Sequence, residues 1–334
     1  MTPSRVRRAL CVTALGLVSA TVSAQPSVRW SGEGFLDYLY VLGSDSDAAV
    51  GSNTFDYRRI RLTSDIRLDD QFSARIRYEG ESDQTTEQGR PAPFIKDAYV
   101  RWAYSEAGHR ATLGVVPPPV FRISEAVWGY RSLDKTIVDR TRLRSSRDFG
   151  LRLDGPIGGG GLRYSAMVGN GNGVGPEDDG ARGKRVYGRL SYVPDSPLRV
   201  TVNGDYASVD PDAEVRQSSV RGSAFVGAVT ERVRGGVEAF YVVNDPEGAA
   251  LDRQDGVGVS VFGAVTVAPQ IAVVARYDYV DDDAGRVGED EHYVLGALAI
   301  SPSEHVRLMP NVLLTKPDGA DPEVLGRFTA EFRF

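Results

Sequence analysis

Residues 324–334, VLGRFTAEFRF, alternate in polarity from one residue to the next. Apolar or small side chains stand at every even position from Val324 to Phe334, and mostly polar ones such as Arg327 and Glu331 stand between them. A period of two is typical of a β-strand with one apolar face and one hydrated face. Such a strand at the end of a water-soluble protein would aggregate, whereas a closed membrane barrel needs its last strand to pair with its first. The segment therefore predicts a transmembrane β-barrel.

The same alternation recurs along the chain and predicts an all-β protein of about sixteen antiparallel strands. The predicted ranges are 28–42, 55–69, 72–81, 95–105, 110–116, 147–155, 161–170, 184–194, 198–209, 214–229, 232–243, 253–267, 270–281, 290–301, 304–315 and 323–334. After residue 25 no apolar run is long enough for a membrane helix, which suits a barrel because every second residue of its strands faces water.

The predicted connections alternate between short and long. Short ones lie at 69–71, 105–109, 156–160, 194–197, 230–231, 268–269 and 302–303, and longer polar, glycine-rich segments lie between them. Bacterial outer-membrane barrels have this arrangement, with short periplasmic turns, long external loops and both termini in the periplasm. A soluble β-sandwich has no reason to sort its connections by length in this way.

Residues 1–24 are predicted to be a signal peptide. Three arginines precede an apolar run over 9–22, and Val22-Ser23-Ala24 forms a small-residue cleavage site. The mature protein would be a single barrel domain, residues 25–334, without the only cysteine, Cys11. Losing the three arginines changes the net charge from -6 to -9, which argues against a nucleic-acid partner. We expect no cofactor, no metal site and no disulfide.

The third long connection, at about 117–146, is twice the length of most others and rich in basic residues. Its start, Pro117-Pro118-Pro119, cannot donate ladder hydrogen bonds and would end the preceding strand sharply. The basic residues of this loop and the one directly after it are Arg122, Arg131, Lys135, Arg140, Arg142, Arg144 and Arg147. They form a candidate basic constriction.

Further arginines are predicted on the inner wall of the barrel, because strand alternation places them opposite apolar neighbours. These wall candidates are Arg59, Arg61, Arg75, Arg77, Arg101 and Arg152. A ring of guanidinium groups selects anions, and their planar fork suits oxyanions such as phosphate, sulfate or carboxylate. Inward-facing carboxylates such as Glu79 and Asp97 leave a second interpretation open, in which each arginine is a purely structural ion-pair partner.

Five segments resemble the phosphate-selective porin family, the porins O and P. They are 55–62 (FDYRRIRL), 72–78 (FSARIRY), 95–102 (IKDAYVRW), 113–121 (LGVVPPPVF) and 146–155 (SRDFGLRLDG). The resemblance implies a sixteen-stranded barrel, usually a homotrimer, that passes anions such as phosphate passively. By position and length, the third loop also resembles the external loop that folds inward and narrows the channel in general porins. The terminal Phe334 resembles the sorting signal of outer-membrane barrels, which implies the outer membrane of a Gram-negative cell.

The other long loops are acidic. Acidic residues cluster at 177–179, 210–214, 281–283 and 289–291. The simplest interpretation is a solvated rim that bridges to lipopolysaccharide through divalent cations, beside ordinary contacts with outer-membrane lipids.

The sequence thus favours a porin for passive diffusion of small hydrophilic solutes, with a preference for anions. The alternatives are a non-selective diffusion channel, a structural or adhesive barrel without an open channel, and a barrel enzyme. An enzyme would need a histidine beside a nucleophile or an acid. His109 and His305 belong to predicted periplasmic turns and His292 adjoins an acidic loop, so we expect no catalysis.

Overall fold

The computed structural model describes residues 25–46, 48–141, 145–173, 183–208, 217–246, 253–284 and 290–334. Its strands are β1 (Ser27–Gly43), β2 (Asn53–Arg67), β3 (Phe72–Gly80), β4 (Phe94–Ala103), β5 (Arg110–Val116), β6 (Asp148–Pro156), β7 (Leu162–Gly169), β8 (Arg185–Tyr192), β9 (Leu198–Ala207), β10 (Gln217–Val229), β11 (Val233–Pro246), β12 (Gln254–Ala268), β13 (Ile271–Asp281), β14 (Asp290–Ile300), β15 (Val306–Pro317) and β16 (Glu323–Arg333). Each strand pairs with its sequence neighbours and β16 pairs with β1, so the sheet is a closed barrel. The predicted fold class is confirmed, and no predicted strand end differs by more than three residues.

The connections separate the two ends of the barrel. At one end, which we call the turn end, they are two to six residues long and lie at 68–71, 104–109, 157–161, 193–197, 230–232, 269–270 and 301–305. At the other, which we call the loop end, they lie at 44–52, 81–93, 117–147, 170–184, 208–216, 247–253, 282–289 and 318–322. The predicted alternation of short turns and long loops is confirmed.

The terminal strand closes the barrel through a close fit of aromatic rings onto glycines. Gly34 pairs with Phe332 in the β1–β16 register, and Gly32 exchanges two backbone hydrogen bonds of 3.0 Å with Phe334. The rings of the two phenylalanines leave no room for a Cβ on either glycine. Because β16 is paired on both sides, its backbone groups are satisfied and no open edge remains.

The two faces of the wall differ as the alternation predicts. Outward residues such as Leu113 and Val202 are more than half exposed, whereas the inward Thr112 and Thr201 on the same strands are almost fully buried. The outer surface is therefore apolar, which a lipid environment requires of a barrel, and the inner wall is polar apart from inward apolar side chains of β10 and β12–β15.

Residues 117–141 lie inside the barrel and carry two short helices, α1 (Arg122–Trp128) and α2 (Ile137–Arg140). Of the helices in the described ranges, none has the length and apolar character needed to cross a membrane. The side chains of Trp128 and Leu133 are at most 1% exposed and pack in one apolar cluster with inward residues of β10 and β12–β15. The rings of Trp128 and Phe262 meet edge to face at 5.1 Å. Full burial of one such side chain stabilises the packed position of residues 117–141 by about 2–3 kcal/mol.

Gly150 on β6 allows neighbouring strands to come close near the start of this internal segment. A Cβ there would overlap the carbonyl oxygen of Val168 and lie 2.8 Å from the Cα of Gly169, both on β7. We expect Gly150→Ala to lower the free energy of unfolding by about 2 kcal/mol or more, because backbone atoms cannot move aside cheaply. The matched control is Gly188→Ala on β8, where a Cβ meets nothing within 4 Å. Urea unfolding in lipid vesicles measures the stability of both variants. Equal unfolding midpoints for the two would refute this packing argument.

Candidate functional site

A cavity of about 360 Å³ lies between the internal segment and the inner wall of β2–β8. Twelve basic and four acidic side chains line it, an excess of eight positive charges. The basic ones are Arg59, Arg61, Arg75, Arg77, Lys96, Arg101, Arg122, Arg131, Lys135, Arg147, Arg152 and Arg189. We call this cavity the basic constriction.

Ten of the thirteen residues predicted from the sequence line the basic constriction. Arg140 does not line it, because its guanidinium is paired on the opposite wall with Asp278 at 3.1 Å and Glu291 at 2.8 Å. Arg142 and Arg144 lie outside the described residues. Lys96 and Arg189 line the cavity as well, although the sequence analysis did not select them.

Buried carboxylates hold most of the cations on β2, β3 and β4. Glu79 is fully buried and pairs with Lys96 at 2.9 Å, with Arg59 at 3.6 Å and with Arg61. Asp97 pairs in the same way with Arg77 and Arg147. A buried carboxylate needs such partners, since an isolated buried charge is strongly unfavourable. These cations are therefore both fixed in place and partly neutralised.

Three arginines of the basic constriction have no carboxylate within ion-pairing distance among the described residues: Arg101, Arg122 and Arg189. They lie on β4, α1 and β8, so they surround the cavity from three elements. Arg101 stacks over the ring of Tyr99 at 5.2 Å, and the Nε of Arg189 is buried without a hydrogen-bond partner. We call them the unpaired arginines; together with Lys135, which also has no carboxylate partner among the described residues, they carry the least compensated charges in the cavity.

A bulge in β2 turns two consecutive arginines into the lumen. Phe35 faces Arg59 and Leu36 faces Tyr57, so Arg58 is the extra residue between them. Arg58 reaches Asp37 at 2.9 Å and Arg59 reaches Glu81 at 2.6 Å. Strict alternation would place Arg58 outside, which is why the sequence analysis selected Arg59 alone.

Four wall arginines bind backbone carbonyl oxygens of residues 129–135 in the internal segment. Arg58 donates to Ser132 and to Leu133 at 3.1 Å, Arg327 to Leu133 at 2.6 Å, Arg307 to Gly129 at 3.1 Å, and Arg276 to Lys135. We call these four the carbonyl clamp. The sequence analysis missed all of them, because a partner that is a backbone carbonyl leaves no mark in the side-chain pattern.

Arg276 is the most buried member of the carbonyl clamp. Its side chain is fully buried, pairs with Asp278 at 2.6 Å and lies 5.6 Å from the ring centre of Trp128. Nearby, Tyr293 donates a 2.7 Å hydrogen bond to Asp134 of the internal segment. Burial acts to raise the pKa of Asp134, but the charge of Arg276 and the Tyr293 hydrogen bond together lower it below its usual value. Asp134 therefore stays ionised and contributes to the attachment of the segment.

The histidines lie away from the basic constriction. His109 contacts the Tyr164 hydroxyl at 3.1 Å near the turn end, His292 contacts the Tyr277 hydroxyl at 2.8 Å, and His305 is exposed on a turn. Within the described part of the chain, no group of three or more His, Asp or Glu residues is placed to hold a metal ion.

Comparison with known proteins gives a family and a fold. A family model described as Gram-negative porin matches residues 11–298. Similar solved structures include the anion-selective porin from Comamonas acidovorans, which is 12% identical, with 93% of this chain and 100% of that one covered at a TM-score of 0.72. They also include the outer membrane channel DcaP of Acinetobacter baumannii, at 13% identity, 93% and 98% coverage and a TM-score of 0.68. The trimer form of OmpT, an outer membrane protein of Vibrio cholerae, matches at 13% identity, 93% and 100% coverage and a TM-score of 0.68. No curated protein matches the sequence.

Proposed function

This chain belongs to the Gram-negative porin family, and from that premise we propose that its barrel passes small hydrophilic solutes with a preference for small anions, phosphate-type oxyanions among them. Membership of the family and the closed barrel support an outer-membrane diffusion channel rather than an enzyme. The preference for anions rests on one observation, the twelve basic and four acidic side chains that line the basic constriction, an excess that is still six when the buried Glu79 and Asp97 behind them are counted.

Charge at the narrowest part of a channel decides selectivity because a permeating ion loses part of its hydration there. Guanidinium groups replace that hydration for an anion and repel a cation, and their fork geometry favours oxyanions. The unpaired arginines supply charge that no fixed carboxylate compensates. The segments that resemble the porins O and P lie on β2–β6 and the start of the internal segment, which form this wall. That placement supports the phosphate-type assignment.

The remaining parts of the proposal concern processing and assembly. We assign residues 1–24 to a signal peptide removed on export, and the loop end to the outside of the cell. We extend the trimeric assembly named for the Vibrio cholerae structure to this chain as a homotrimer. The acidic loops would then contact lipopolysaccharide through divalent cations.

Reversal potentials in planar bilayers test the proposed selectivity. In a tenfold KCl gradient we expect a zero-current potential of the sign that anion preference gives, with chloride several times more permeant than potassium, an effect of about 1 kcal/mol. Replacing chloride with phosphate or a dicarboxylate ranks the anions. A cation-preferring channel would overturn the anion assignment, and protein that never conducts would overturn the channel itself.

A further inference from the structure

Eight of the twelve cations that line the basic constriction have carboxylate partners within ion-pairing distance. They are Arg59, Arg61, Arg75, Arg77, Lys96, Arg131, Arg147 and Arg152. Their partners are also eight in number: Glu33, Asp65, Glu79, Glu81, Asp97, Glu125, Asp139 and Asp154. In this group each positive charge is therefore matched by one fixed negative charge.

The other four cations carry the net charge of the cavity. They are Lys135 and the three unpaired arginines, and no described carboxylate lies within ion-pairing distance of them. Arg122 and Lys135 lie on the internal segment. Arg101 and Arg189 lie on the wall, on β4 and β8. With all eight partner carboxylates counted, the net charge of the basic constriction is +4, shared by the segment and the wall.

Contacts other than ion pairs hold three of these four cations. Arg101 donates a 3.3 Å hydrogen bond to the Tyr99 hydroxyl and stacks over that ring. The backbone N–H of Lys135 donates to Asp134 at 2.7 Å, and its carbonyl oxygen accepts from Arg276. The Nε of Arg189 is buried without a hydrogen-bond partner. Groups fixed in this way lose little freedom when a ligand binds, so their charge is available to it.

The cavity has the size and lining of a small-molecule site. Its volume of about 360 Å³ lies at the lower end of the range for such sites, about 300–1,000 Å³. Tyr99, Pro118 and Phe121 line it beside the charged side chains. Apolar atoms next to a few fixed charges suit the carbon skeleton of an organic ion. The basic constriction therefore has room for one small organic anion.

We propose that the basic constriction is a binding site for small organic anions with three or four negative charges, of which a tricarboxylate is the simplest. A monovalent anion compensates one of the four uncompensated cations and leaves the others to repel one another, whereas a trivalent anion compensates most of them. The inference rests on the proposed function, because a solute reaches this site only through an open, anion-preferring channel. It adds the charge and the skeleton of the solute to that function.

Three carboxylates of similar size test the dependence on charge. Tricarballylate, glutarate and butyrate carry three, two and one negative charges at about pH 8. A bound anion interrupts the chloride current of a single channel, and the frequency and duration of the interruptions give its dissociation constant. In about 0.1 M KCl we expect that constant to fall by about tenfold with each added carboxylate. In about 1 M KCl, where screening acts over about 3 Å, each step should shrink to about threefold or less.

Two variants test whether the uncompensated cations are responsible. Arg122→Gln removes one of them, and we expect tricarballylate to bind about fivefold more weakly and butyrate about twofold more weakly. The matched control, Arg75→Gln with Asp65→Asn, removes a half-buried ion pair of the same wall without changing the net charge. Removing both partners of such a pair is often close to neutral for stability. We expect the control to bind both carboxylates within about twofold of the unmodified protein.

The outcomes separate this inference from the proposed function. Equal dissociation constants for the three carboxylates, or no interruptions at all, in a channel whose reversal potential shows anion preference would overturn the polyanion site and leave the porin assignment intact. A loss of tricarballylate binding in the control as large as that in Arg122→Gln would overturn it as well. A reversal potential that shows cation preference would instead overturn the proposed function.

Discussion

Replacing the three unpaired arginines with glutamate, as Arg101→Glu, Arg122→Glu and Arg189→Glu, should convert an anion-preferring channel into a cation-preferring one. Each replacement changes the charge at the wall of the basic constriction by two units. Two unit charges about 7 Å apart in water interact by about 0.6 kcal/mol, so three reversals change the relative energies of a chloride and a potassium ion by several kcal/mol before screening. We expect the ratio of chloride to potassium permeability to fall by about tenfold or more.

These three residues are the right ones to change because none holds a buried carboxylate. Reversing Arg61 or Arg77 would leave Glu79 or Asp97 buried beside a new negative charge and would destabilise the barrel. The unpaired arginines have no such partner among the described residues, so the folded state should tolerate the change. The glutamine versions of the same positions should give an intermediate permeability ratio.

A matched control reverses three arginines outside the basic constriction. Arg29, Arg232 and Arg333 are exposed at the turn end, and their replacement by glutamate gives the same change in net charge. The measurement for both proteins is the zero-current potential in a KCl gradient at about 0.1 M salt, where screening acts over about 10 Å. An equal shift in the control would mean that net charge, rather than the basic constriction, decides selectivity.

Removing Arg276 should release the internal segment from the wall. Arg276→Met takes away the donor to the Lys135 carbonyl and leaves Asp278 buried with only Arg140 as its partner. Breaking one side of a buried ion pair costs about 3–5 kcal/mol, and we expect a loss of stability of that size. With the clamp weakened, the segment should leave its position for part of the time, so the single-channel conductance should fluctuate and its upper level should rise by about twofold.

A double variant separates the loss of the clamp from the cost of an unpaired charge. Arg276→Met with Asp278→Asn removes both charges, a change that is often close to neutral for stability. The Lys135 carbonyl still lacks its donor, so the conductance fluctuations should persist while most of the stability returns. The control is Arg253→Met, since Arg253 and Asp255 form an exposed surface pair whose loss costs little. A double variant with normal stability, and with a single-channel conductance that neither fluctuates nor changes in size, would show that the carbonyl clamp does not hold the segment.

The barrel itself could be read from the sequence, because one apolar and one polar face impose a period of two on every strand. Strands such as Arg185–Tyr192 show that pattern clearly, and the strand ends were placed to within three residues. The position of Arg58 could not be read in this way, since a bulge inserts one residue and reverses the pattern locally. A bulge depends on how two strands pair, which involves residues far apart in the chain.

In the candidate site, too, some residues could be predicted from the sequence and others could not. The basic residues of the third loop and of β2–β6 were selected from charge and alternation, and ten of them line one cavity. Arg140 shared the same sequence features but is paired with Asp278 and Glu291, which lie more than a hundred residues away. Whether a lumen arginine is neutralised depends on the distance between side chains across the barrel, and no local pattern encodes that distance.

The amino-acid sequence alone determined that this chain forms a closed barrel, apolar outside and polar inside, with long loops at one end. It could do so because the hydrophobic effect acts on each residue according to the face it occupies, and strand geometry converts that choice into a periodic pattern. Only the tertiary structure decided which cations face the pore unpaired and which hold the internal segment. Those assignments depend on contacts between strands distant in sequence. A buried cation pairs with the carboxylate or carbonyl oxygen that lies within reach once the barrel has closed.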